Sequence, residues 1–171
     1  MMPRIVLTTI AGAALVGTMQ AQATPGPELG RLAMLVGTFE GEVRYSPPGM
    51  NPQVGRMTYE GAWDLDGWLV RSRYDQVIGN KPAVGGLLIF RWRPRDSTYA
   101  FEGYANTPME PHRLTGRWED GLVFEGHTGG ALYRERWQPR GGDTLVNAME
   151  FQRNGEWMTV SEAILVRKRD P

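Results

Sequence analysis

Val36-Gly37-Thr38-Phe39-Glu40-Gly41-Glu42-Val43 alternates two kinds of side chain. Phe39, Gly41, Val43 and the following Tyr45 are apolar or small, whereas Thr38, Glu40, Glu42 and Arg44 are polar. A period of two turns one set toward a core and the other toward water, which is the pattern of a half-buried β-strand. Downstream, nine more strand-like segments follow, at about 55–65, 68–78, 85–93, 98–106, 112–118, 122–127, 131–138, 144–152 and 157–168. Turn chemistry separates them: Asp66-Gly67 and Asn154-Gly155 suit two-residue type I′ hairpins, and Pro94-Arg95-Asp96-Ser97, Gly129-Gly130 and Gly141-Gly142-Asp143 mark others. No stretch after Gly37 has helical periodicity, and no gap is long enough for a parallel crossover. The segments therefore pair in order, and so long a meander loses its open edges by closing. The predicted fold is all-β, a closed ten-stranded antiparallel up-and-down β-barrel.

Upstream of the first strand, Leu29, Leu32, Ala33 and Leu35 lie at helical spacing within Glu28–Leu35, with Gly37 as the stop. This predicts a short N-terminal helix, acting either as a lid or plug or as an ordered lead-in. Further back, Arg4, the apolar run Ile5–Val16 and the small-x-small triplet Ala21-Gln22-Ala23 make residues 1–23 a secretory signal peptide. The run is interrupted by Gly12, Gly17 and Gln20 and is short for a membrane span. The expected mature chain, residues 24–171, is one domain, periplasmic or secreted, with no stable membrane anchor after cleavage. Of the 19 Lys and Arg and 19 Asp and Glu of the full sequence only Arg4 lies in the leader, so 18 basic against 19 acidic side chains leave the mature chain nearly neutral, without the field that nucleic acid or anionic lipid would need. Absence of cysteine excludes disulfides, thiolate metal sites and thiol nucleophiles.

The turns assign the faces. With Asp66-Gly67 at a hairpin tip, Leu65 opposes Trp68, Trp63 opposes Val70, Gly61 opposes Ser72, Tyr59 opposes Tyr74 and Met57 opposes Gln76, all on one apolar and aromatic face. Asn154-Gly155 likewise sets Phe151 against Met158, Met149 against Val160, Asn147 against Glu162 and Leu145 against Ile164. A three-residue turn at Glu119-Asp120-Gly121 puts Leu114, Gly116, Trp118, Leu122 and Phe124 inside and leaves Glu125 and His127 in water. The candidate ligand-lining set is thus Tyr59, Trp63, Ser72, Tyr74, Gln76, Asn147, Met149 and Glu162. An ionised Glu162 in an apolar barrel is costly, so it must be protonated, bonded to Asn147 or matched by a cation. Segment eight has two readings: Leu132, Arg134 and Arg136 inward, which supplies such a cation, or Tyr133, Glu135 and Trp137 inward, which burial favours.

Leu35-Val36-Gly37-Thr38-Phe39-Glu40-Gly41, the Trp63-Asp64-Leu65-Asp66-Gly67 turn, the hairpin from Arg91-Trp92 to Tyr99 and the terminal Glu162-Ala163-Ile164-Leu165-Val166-Arg167-Lys168 resemble the lipocalin-like bacterial family known as domain of unknown function 1579. The resemblance implies a closed calycin-type barrel related to lipocalins and fatty-acid-binding proteins and no agreed activity; the expected partner, a small apolar or amphipathic molecule, is read from the lining residues. The lipocalin Gly-x-Trp is here Gly37-Thr38-Phe39, and the aromatic of the last strand is Leu165. In lipocalins a last-strand cation closes one barrel end over the tryptophan. The matching pair here is Phe39 and Arg167, a cation–π contact of about 0.5–2 kcal/mol that requires a bulge to turn Arg167 inward. In fatty-acid-binding proteins interior arginines and a tyrosine hold a carboxylate, the role Arg134 and Arg136 would fill if inward.

Similar ten-stranded barrels, the nitrobindins, hold haem through one histidine, but His112 and His127 read as loop or rim residues, so no cofactor is expected. No Gly-x-Ser-x-Gly elbow, His-Glu-x-x-His site or phosphate-binding glycine loop is present, and no catalytic residue or metal ligand is assigned. Binding of a small molecule inside the barrel is the expected function, against the alternative of a filled structural barrel. The proline-rich loop Ser46–Pro52 is a candidate gate or an ordinary surface loop.

Overall fold

The computed structural model describes residues 26–108 and 110–169. The proposed signal peptide lies outside the described residues. A helical turn, α1 (Pro27–Gly30), runs into a 3₁₀ segment (Arg31–Leu35) and then into ten strands. They are β1 (Gly37–Tyr45), β2 (Gln53–Asp64), β3 (Leu69–Ile78), β4 (Val84–Arg93) and β5 (Thr98–Ala105), then β6 (His112–Trp118), β7 (Leu122–Thr128), β8 (Ala131–Arg140), β9 (Thr144–Arg153) and β10 (Glu156–Arg167). Every strand pairs antiparallel with its neighbours in sequence, and β1 pairs with β10, so the sheet closes into a barrel with no free edge.

The β2–β3 register follows from its turn, with Trp63 opposite Val70, Tyr59 opposite Tyr74 and Met57 opposite Gln76. The turn itself is not the two-residue type expected. Leu65, Asp66 and Gly67 all take positive φ, and the Asp64 carboxylate caps the excursion by accepting from the Leu65 N–H at 2.7 Å and from Arg71 Nε at 2.7 Å. These bonds, the backbone one first, hold the Asp64 carboxyl below its ordinary pKa. Asn154-Gly155 does form a two-residue turn with both φ positive, and the three-residue turn leaves Trp118 paired with Leu122.

The β9–β10 register departs from the sequence reading. Met158 opposes Phe151 and Thr159 opposes Glu150, but Ser161 rather than Val160 then opposes Met149. The shift is a β-bulge, and it reverses the facing of every later residue in β10. The Ser46 N–H donates to the freed carbonyl of Val160 at 2.8 Å, so the bulge leaves that group satisfied. Ala163 and Leu165 consequently enter the core, while Glu162, Ile164 and Val166 are exposed.

Arg167 turns inward by the same shift. Its guanidinium lies 4.4 Å from the Phe39 ring centroid and donates to the Val36 carbonyl at 2.6 Å. Gly37 makes room for it: a Cβ there would sit 2.0 Å from the guanidinium nitrogen, and its φ is +129°. Around this contact the helical lead-in plugs one end of the barrel. Leu29, Leu32 and Leu35 are buried, the Tyr99 hydroxyl donates to the Glu28 carbonyl at 2.9 Å, and Arg31 lies over Trp118 at 5.3 Å. Behind the plug, Phe39, Tyr59, Trp137, Phe90, Phe101 and Phe124 form a continuous chain of edge and tilted ring contacts at 5.2–5.9 Å. This half of the barrel is solid.

Candidate functional site

Because the strands run antiparallel, the ends of β1, β3, β5, β7 and β9 and the starts of β2, β4, β6, β8 and β10 meet at the end opposite the plug. There the barrel is hollow. A cavity of about 690 Å³ extends inward from that mouth. Its walls are mostly apolar: Met57, Leu88, Phe101, Met149, Phe151, Met158 and Val160. Trp137, packed behind on Tyr59 and Phe90, separates the cavity from the solid half. The rim carries Pro47 and Pro48 of the β1–β2 loop, with Lys81, Glu110 and Arg153.

A carboxyl group lies deep in this space. β8 presents Tyr133, Glu135 and Trp137 inward, three alternate positions that are all nearly or fully buried. Arg134 therefore faces outward, where it pairs with Glu150 at 2.6 Å and stacks on Trp157 at 4.1 Å. The arrangement is set by burial: tyrosine and tryptophan gain more from an apolar interior than two arginines, which would be desolvated unpaired. Glu135 accepts from the Tyr133 hydroxyl at 2.8 Å, from Trp137 Nε1 at 2.9 Å and from Asn147 Nδ2 at 3.2 Å. No Lys or Arg pairs with it among the described residues. Burial raises its pKa from 4.5 to about 7, and the three donors offset only part of that. The charge feeds back on its neighbours: desolvation and then Glu135 push Tyr74 to about 12 and Tyr133 well above the ordinary phenol range.

This placement makes a prediction about stability. A Glu135 carboxyl that titrates near 4.5 when unfolded and near 7 when folded holds its proton more tightly in the native state. Its stabilising contribution is complete below pH 4.5 and is lost as pH rises toward 7, by roughly 3 kcal/mol. Glu135→Gln, which cannot ionise, is therefore expected to gain on the wild type across that window and to be the more stable protein near pH 8. Urea melts of both proteins at several pH values check this, and a constant difference between them would disprove it.

The expected lining residues divide sharply. Tyr74, Gln76, Asn147 and Met149 line the cavity. Tyr59 and Ser72 do not: the Tyr59 hydroxyl donates to the Leu35 carbonyl at 3.1 Å and pairs with Ser72 Oγ at 2.6 Å, within the solid half. Desolvation holds the Tyr59 phenol far above its ordinary pKa. Trp63 keeps the inner parity but lies past the barrel's plugged end, 39% exposed beside Pro27 and Leu29. Glu162 faces water because of the bulge, and the interior carboxylate bonded to Asn147 is Glu135 instead. His112, read from the sequence as a loop or rim residue, opens β6 at the mouth end, is half-buried on the cavity wall and meets Tyr133 edge-on at 5.1 Å. Burial lowers its pKa. His127 is exposed. Among the described residues no group of three or more His, Asp or Glu side chains is placed to hold a metal ion.

No protein-family model matches the sequence, and no curated protein is significantly similar to it. Solved structures share the fold. The crystal structure of Rv2717c from M. tuberculosis superposes with a TM-score of 0.61 at 16% identity, over 84% of this chain and 99% of that one. The S-type phycobiliprotein lyase CPES from Guillardia theta superposes with a TM-score of 0.58 at 10% identity, over 85% of this chain and 93% of that one. At such identities the likeness is one of fold alone.

Proposed function

We propose that the protein is an exported binding protein that holds a small apolar or amphipathic molecule in the open half of its barrel. The observation that carries this reading is the cavity of about 690 Å³, a volume in the ordinary range for small-molecule sites, with apolar walls and few polar groups. A barrel needed only as a scaffold gains nothing from leaving such walls uncovered, since every unfilled contact there forgoes dispersion energy. Export rests on the leader pattern of residues 1–23, and kinship with the family called domain of unknown function 1579 rests on the motifs from Leu35 to Gly41 and Glu162 to Lys168.

Titration with Nile red, a neutral apolar dye, tests the reading. Saturable binding with blue-shifted emission is expected. Met149→Trp, which places an indole in the cavity opposite Glu135, is expected to weaken it about tenfold or more. A folded wild-type protein that leaves the dye in water, or a Met149→Trp variant that binds it equally well, would overturn the proposal.

A further inference from the structure

Glu135 is an unusual group to find where it is. A glutamine there would satisfy the same surroundings without the cost of a buried charge, yet the barrel holds a carboxylate with no cation paired to it among the described residues. Its donors do not saturate it. Oε1 accepts from both Trp137 and Asn147, but Oε2 accepts only from Tyr133, which leaves one lone pair open. The Asn147 amide nitrogen is spent on Glu135 and on the Arg136 carbonyl at 3.2 Å, and its oxygen accepts nothing among the described residues. That amide is oriented by the carboxylate, which requires a donor rather than a second oxygen. The Tyr74 hydroxyl, near enough to Glu135 to have its pKa raised by it, makes no hydrogen bond among the described residues.

The unused capacity of the inner cavity is therefore on the acceptor side: a carboxylate oxygen, an amide oxygen and a phenol oxygen. The titratable groups facing Glu135 are Tyr133 on its own strand, Tyr74 from β3 and Tyr59 from β2, with His112 of β6 beyond Tyr133. The cations of the site, Lys81 and Arg153, are exposed at the rim. A carboxylate head group sent inward would meet an acid and a set of acceptors. A primary ammonium brings three N–H donors and the charge that Glu135 lacks.

We infer that the cavity takes an amphiphile with a primary amine at its buried end, the ammonium paired with Glu135 and the alkyl part against Met57, Leu88, Phe101 and Met149. This rests on the reading that the cavity binds a small molecule and gives that molecule a head group. It is the reverse of carboxylate capture by interior arginines.

Calorimetric titration of the full mature chain near pH 8 with n-decylamine, n-decanol and n-decanoate tests it. The amine is expected to bind at least about tenfold more tightly than decanoate. Glu135→Gln is expected to abolish that preference while the variant still binds Nile red, whose neutral apolar ring system reports the apolar walls and the fold. In the wild type the preference should also shrink between pH 8 and pH 5, because binding the ammonium then requires Glu135 to give up its proton. If decanol and decanoate bind as well as the amine, the cavity reading stands and the head-group inference is overturned. If the amine preference survives in Glu135→Gln, the inference is also overturned, since the preference then arises elsewhere. If none of the three binds, both fail.

Discussion

Truncating Trp137 to alanine is expected to destabilise the protein by about 3–5 kcal/mol, the range for deleting a large aromatic from a packed core. Trp137 is 1% exposed and joins three parts of the molecule. Its ring packs on Tyr59 at 5.3 Å and on Phe90 at 5.6 Å, so it links the plugged side of the aromatic core to β4. Its Nε1–H is one of three donors that hold Glu135. Alanine removes the ring contacts and the donor together, and the plug side cannot collapse into the space because strand closure fixes the barrel's width. For a domain of this size the loss lowers the melting temperature by roughly 10 °C or more. Losing the donor also raises the Glu135 pKa further, so the fall in stability with rising pH should steepen in the variant. Chemical denaturation at two pH values reads both effects. A loss below about 1 kcal/mol would mean that the aromatic chain is not the structural core described here.

Gly41→Val should be of similar size for a different reason. Gly41 opposes Leu165 at the seam where β1 meets β10 and the barrel closes. A Cβ there would lie 1.8 Å from the Ile164 carbonyl oxygen and 3.0 Å from the Leu165 Cα. These are backbone atoms, which cannot swing aside as the end of a side chain can. Relief comes only by separating the two strands, which breaks ladder hydrogen bonds and moves Arg167 away from Phe39 and the Val36 carbonyl. Overpacking ordinarily costs about 1–3 kcal/mol, and at a rigid backbone seam the upper end or beyond is expected. Soluble yield and the midpoint of unfolding are the measurements, with Gly142→Val, at an exposed turn glycine without positive φ whose added Cβ meets nothing within 4 Å, as the comparison. Should Gly41→Val melt with the wild type, the tight approach of β1 to β10 would be wrong.

Both variants bear on function through the division of the barrel into a packed half and a hollow half. Trp137 stands between them, with one face in the core and the other on the cavity. The seam glycine lets β1 approach β10 closely, and the bulge in β10 puts Val160 on the cavity wall and Glu162 in water. Stability and binding are thus supplied by different lengths of the same strands. That separation lets the cavity stay open without unfolding the domain.

The alternation in Thr38–Tyr45 and its counterparts, together with the turn residues between them, determined ten strands in sequential antiparallel order. Period-two burial and positive-φ turn chemistry are local properties that neighbouring residues carry whatever lies elsewhere in the fold. The same local rules placed Tyr74 across from Tyr59 and turned Trp118 toward Leu122. Tertiary structure alone decided the rest. The bulge at Val160 needs no glycine and leaves no mark in the alternation, and its traces in the sequence were the cost of an interior Glu162 and the turn inward that a Phe39–Arg167 contact requires. Which of the two faces of β8 enters the barrel was settled by the combined burial of Tyr133 and Trp137, and Glu135 was carried inward between them. Whether an inward residue meets packed rings or open space depends on how far it lies from the helical plug. That distance is measured across strands far apart in sequence, so no single stretch of the chain contains it.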